Sequence, residues 1–169
     1  MHKEAWMEMM RSIRMAAMLF LVAVIAFGCA QLGGKQEYTK KSGVGSGMNA
    51  KGEVVDSKLV ESGYGQHVKG LGDWEGEITG KSTGASKFTK LKIGMSMRQV
   101  TDLIGKPSDQ GSYMTGKAWI PYYFGSDRHR YEMVYKNQGR LIFAGGSLND
   151  LSGGNLIWII NNKNEPQYR

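Results

Sequence analysis

A single cysteine limits how this chain can be held together. Cys29 closes a short apolar run, Met15-Ala-Ala-Met-Leu-Phe-Leu-Val-Ala-Val-Ile-Ala-Phe-Gly28, which follows Arg11 and Arg14. No intrachain disulfide can form, so the fold must stand on an apolar core. A basic start, an apolar stretch of about 7–15 residues and a small residue before a cut site make an export signal, and the run is short for a permanent membrane span.

The box Ala26-Phe27-Gly28-Cys29 predicts a lipoprotein signal over residues 1–28, with diacylglycerol and an acyl chain such as palmitate on the Cys29 thiol. An ordinary secretory signal cut near Ala30 and an uncleaved anchor are the alternatives. Glu4 and Glu8 suit the start of a signal poorly, which favours initiation at Met10. Ala30 follows the cysteine where Asp would be read, in enteric bacteria, as inner-membrane retention, so the outer membrane facing the periplasm is the expected location. Two or three acyl chains anchor stably where one is marginal, at about 0.8 kcal/mol per buried methylene.

Removal of Lys3, Arg11, Arg14, Glu4 and Glu8 with the signal takes the formal charge from +7 to +6. In an exported chain this mild basicity points to anionic lipid head groups or acidic envelope proteins and not to nucleic acid. Lys40-Lys41 and Arg128-His129-Arg130 are the only tight clusters of basic residues, and a solvated face explains both.

Residues 29–71 are rich in Gly, Ser and Lys, without sustained hydrophobic period, and predict a flexible tether. A domain is expected over 72–163 and a polar tail over 164–169. Ser86 to Ile93 reads as a short helix. The clearest element follows it: Ser96 is an N-cap, Gln99 completes a capping box, Met95 can staple onto Val100, and Met97, Val100, Leu103 and Ile104 share a helical face. Gly105 and Pro107 end that helix, which at about nine residues must dock its apolar face.

Ala118–Phe124, Tyr131–Lys136, Arg140–Ala144 and Asn155–Ile160 read as strands, with Asn137-Gln138-Gly139 as a hairpin loop. Pro121 places the first of these at an edge or a bulge. Alternation sends half of each strand outward, so Tyr122, Tyr123 and Phe124 with Arg128 and Arg130 form a candidate partner surface, unless further elements cover both faces.

Lys90 to Pro107, followed by an aromatic strand and a hairpin ending at Phe143, resembles the SmpA/OmlA (BamE-like) family of outer-membrane lipoproteins. Gly94, Met95, Ser96, Gln99, Val100 and the run Leu103-Ile-Gly-Lys-Pro107 carry the likeness, over about residues 86–145. The resemblance implies an α+β domain of two short helices on a small antiparallel sheet, a fold shared with β-lactamase-inhibitor proteins. It also implies a role as an accessory factor in β-barrel assembly or envelope integrity; an inhibitor of an envelope hydrolase is the alternative. The long linker, Asp73–Ile78 and the Leu156–Ile160 strand depart from the family pattern.

No chemistry-bearing constellation stands out, and a non-enzyme without metal or cofactor is expected. Thr79-Gly-Lys-Ser-Thr83 lacks the glycine spacing of a phosphate loop. His67 and His129 have no second metal ligand at binding distance in sequence. Ser126, Asp127 and His129 are adjacent in a turn, and side chains so close in sequence rarely converge as nucleophile, base and orienter.

Overall fold

The computed structural model describes residues 40–115, 119, 129–145 and 154–169. Strands β1 (Gln66–Lys69) and β2 (Glu75–Thr79) come first, then a single 3-10 turn (Lys87–Lys90) and helix α1 (Met97–Ile104). Strands β3 (Asp109–Met114), β4 (His129–Tyr135), β5 (Gly139–Ala144) and β6 (Asn155–Asn161) complete an α+β domain. The six strands form one sheet in the order β1-β2-β6-β5-β4-β3. Every neighbouring pair is antiparallel except β2 with β6.

Helix α1 forms where its cap signals place it. The Ser96 side chain accepts from Gln99 N while the Gln99 side chain accepts from Ser96 N. Gly105 ends the helix at φ 93°, a conformation that favours glycine. Met97, Val100 and Ile104 are buried, whereas Leu103 is exposed, contrary to its expected place on the apolar face. At about 100° per residue it falls roughly a quarter-turn off the direction the other three share. The helix expected over 86–93 shrinks to the one 3-10 turn, capped by Ser86, with Phe88 as its buried residue.

One sheet face carries Tyr131, Met133, Tyr135, Leu141, Phe143, Leu156 and Ile159 against α1, Phe88, Leu91 and Ile93. Leu156 and Ile159 reach the same face, against simple alternation, because a register shift at Ile142/Phe143 leaves Ile157 as an extra residue in β6. The other face buries Ile142, Trp158 and Ile160 under Val54, Met48 and Val60. Covered on both sides, β5 is buried along its whole length.

Over residues 40–71 that second cover corrects the expected tether, whose first part, 29–39, lies outside the described residues. Within 40–71, Met48 bridges to Val54, Val55 N donates to Gly47 O at 2.8 Å, Lys41 N donates to Gly63 O at 2.9 Å, and β1 joins the sheet edge. Before β1 the segment is built of turns, so Met48, Val54 and Val60 stand six residues apart with no continuous alternation between them. Its glycines do conformational work: Gly47 has φ 73°, and a side chain there would strike Asp56 O.

The expected polar tail is held too. Glu165 is buried, and Arg169 pairs with Asp109 of β3 through its backbone N (3.0 Å) and Nε (3.3 Å). The Arg169 guanidinium lies over Gly111, where a side chain would collide with it. The strand expected over 118–124 lies outside the described residues apart from Trp119, and β3 is the strand that pairs with β4.

Candidate functional site

Of the residues expected to carry function, Cys29, Tyr122, Tyr123, Phe124 and Arg128 lie outside the described residues. Arg130 sits near the start of β4, partly exposed and opposite Tyr113 in register; its neighbour His129 stands opposite Met114. Tyr113 and Met114 are among the exposed large apolar side chains, and Trp119 is 79% exposed. The end of the β3–β4 ladder thus offers an aromatic, a thioether and a cation within two residue pairs, side-chain types suited to contact with a partner.

A buried polar network occupies the face beneath the turn layer. Arg140 donates from Nε to Glu165 Oε1 at 2.6 Å and from Nη1 to Glu132 Oε1 at 2.7 Å. Val134 stands opposite Arg140 in register, so Glu132 is its diagonal neighbour on the same face. The other Glu165 oxygen accepts from Ser57 Oγ and from Asn162 Nδ2, and Asn162 Nδ2 also meets Ser57 Oγ at 3.0 Å. Burial alone would lower the Arg140 pKa, but the hydrogen bonds to Glu132 and Glu165 and their charges outweigh it and raise it. Arg140 Nη2 is buried with no partner, the one orphan of an otherwise engaged cluster.

A second carboxylate is cradled at the β1–β2 end. Glu77 accepts from Gly63 N at 2.7 Å, Gly65 N at 2.6 Å and Thr79 Oγ1 at 3.0 Å, and Trp158 Nε1 donates to Thr79 Oγ1 at 2.9 Å. On the helix side, burial pushes the Tyr135 hydroxyl up to about 12 while it donates to Gly105 O at 2.9 Å.

These groups do structural work. Among the described residues Ser57 has a carboxylate beside it but no imidazole, and that carboxylate is already held by Arg140 and Asn162, so none of them stands ready as a base for this hydroxyl. A dent of about 10 Å³ between Lys81, Thr83, Ser86, Asn137, Gln138, Asn161, Asn162 and Lys163 has room for one water. Among the described residues no three His, Cys, Asp or Glu side chains gather as a metal site, and no helix is long and apolar enough to cross a membrane. After Thr79-Gly-Lys-Ser-Thr83 comes a single 3-10 turn, not the helix whose N-terminus a phosphate loop needs.

No protein-family model, curated protein or solved structure matches the chain. Its function must be read from its own residues. The signal missed in the sequence was Arg140 itself: a charge inside Gly139-Arg-Leu-Ile-Phe-Ala144, flanked by apolar residues on a central strand, calls for buried counter-charges. Ser57 and Glu165 had no such local mark.

Proposed function

We propose that this is a lipid-anchored, periplasm-facing outer-membrane protein whose α+β domain, of the SmpA/OmlA type, binds an envelope protein. The role that fits best is an accessory factor in outer-membrane β-barrel assembly or envelope integrity. One observation carries the reading: the chain's only cysteine follows Gly28 at the end of a short apolar run preceded by Arg11 and Arg14. Exposed Tyr113 and Met114 at the Arg130 end of the β3–β4 ladder, and exposed Trp119, support recognition over catalysis, since the buried polar groups described above are engaged in holding the fold.

The test is affinity capture of the C-terminally tagged chain from membranes after mild crosslinking, with Cys29→Ser as the unanchored control. Barrel-assembly subunits enriched only with the lipidated form are the expected result. Enrichment of a hydrolase, or equal recovery with both forms, would refute it.

A further inference from the structure

The turn layer that replaces the expected tether has two sides. Inward, Met48, Val54 and Val60 pack on Ile142, Trp158 and Ile160. Beside these anchors the chain turns apolar residues the other way: Val55 follows buried Val54 and is 58% exposed, Leu59 precedes Val60 and is 58% exposed, and Val44 precedes buried Gly45 and is 53% exposed. Val55 and Asp56 bond through their backbone N to Gly47 O, and Leu59 N donates to Asp56 O at 3.3 Å, so Val55 and Leu59 belong to one small cluster of turns. Lys40, Lys41, Lys51 and Lys58 are exposed along the same layer. Of its acids, Glu61 pairs with Lys41 Nζ (3.0 Å), Glu53 is held by the neutral Asn49 amide (2.9 Å) and keeps its charge, and Asp56 is exposed, so Lys40, Lys51 and Lys58 outnumber the carboxylates left by one.

We infer that the outer side of this turn layer docks on an anionic phospholipid bilayer, with Val44, Val55 and Leu59 entering the interface and Lys40, Lys51 and Lys58 facing the head groups. The composition favours lipid over protein: protein interfaces are depleted in Lys and draw on Trp, Tyr and Arg as anchors, whereas single aliphatic tips among lysines suit shallow interfacial insertion. Chain connectivity points the same way. Lys41 is tied to the domain at Gly63, so a lipid on Cys29 lies about twelve residues away, within roughly 40 Å whatever path those residues take. The orientation therefore rests on the anchor reading, while the surface itself does not.

The Tyr38–Arg169 unit is compact and contains every strand and helix of the described residues, so it serves as a lipid-free probe. Its co-sedimentation is compared between vesicles of phosphatidylcholine mixed with phosphatidylglycerol and vesicles of phosphatidylcholine alone. Preference for the anionic vesicles is expected, falling with salt, at roughly fivefold per engaged lysine. Replacing Val44, Val55 and Leu59 together by Ser should weaken binding at least about tenfold without moving the thermal midpoint, because all three are exposed. Lys40→Glu with Lys58→Glu should abolish the anionic preference.

Absence of binding to the anionic vesicles, or equal binding by the Ser variant, overturns the inference. So does a dimer, seen by sedimentation equilibrium, that the Ser variant dissociates. Palmitate labelling of the full chain and of Cys29→Ser reads the anchor separately, so a chain that binds vesicles yet takes no palmitate would sink the anchor and leave the docking face.

Discussion

Replacing Glu165 with alanine tests whether the network under the turn layer holds the fold. Glu165 is buried, receives Arg140 Nε at 2.6 Å on one oxygen, and receives Ser57 Oγ and Asn162 Nδ2 on the other. Alanine would leave Arg140 with Glu132 alone, beside an Nη2 that already lacks a partner, and would take the acceptor from the Ser57 hydroxyl, leaving Asn162 Nδ2 only Ser57 Oγ to meet. Removing one member of a buried ion pair costs about 3–5 kcal/mol, because the remaining charge stays desolvated. Against a total stability of about 5–15 kcal/mol this is a large loss. It corresponds to a fall in Tm of roughly 10–25 °C for a domain of this size.

The assay is thermal and urea unfolding of the wild-type and Glu165→Ala chains, with hydrogen exchange read over residues 53–60. Exchange there should rise well above that of β5, because the Ser57 bond crosses from the turn layer to the chain's end. The same substitution in an Arg140→Met background should cost less, since no buried cation is left behind. A Tm change below about 3 °C for Glu165→Ala, with unaltered exchange over 53–60, would refute the reasoning and restore a loosely attached tail.

Other outcomes follow from the same geometry. Val54→Ala should cost about 1.5–3 kcal/mol in urea unfolding while Val55→Ala stays within about 0.5 kcal/mol, because only the first packs on Trp158 and Ile160; equal costs would count against the turn layer. Ser96→Ala should lose about 1 kcal/mol through the broken capping box, measured the same way, and no change would contradict the cap. The raised Tyr135 pKa means that the folded state holds its proton more tightly than the unfolded state does. The resulting stability is present below about pH 10 and is lost as pH rises toward about 12. Melting curves across that window should fall more steeply for the wild type than for Tyr135→Phe, and parallel curves would sink the claim.

The local elements of the helix side were legible because their determinants lie within a few residues. Ser96 and Gln99 cap α1 through bonds spanning three residues, and Asn137 at φ 60° with Gly139 at φ 132° turns the β4–β5 hairpin. The aromatic and β-branched runs expected as strands over 131–136 and 140–144 are β4 and β5. The second helix failed because Phe88, Leu91 and Ile93 fit a 3-10 turn running into extended chain as well as they fit a helix. Strand β3, Asp109-Gln-Gly-Ser-Tyr-Met114, has almost no apolar alternation; its place follows from pairing with β4. Of the expected partner surface, the described residues include only Arg130.

By itself, then, the sequence determined the capped helix, the hairpin and the apolar strands, since each depends on neighbours that the chain's own periodicity exposes. Tertiary structure decided that 40–69 is a packed layer, that the chain's end is anchored, and that Arg140 is satisfied by carboxylates from elsewhere. The bond joining Ser57 to Glu165 spans 108 residues, and the Trp158–Thr79 bond spans 79. No periodicity reports such contacts. A turn-rich segment becomes a layer when an exposed sheet face offers Ile142, Trp158 and Ile160 to cover, and a charge survives burial when distant partners arrive to meet it.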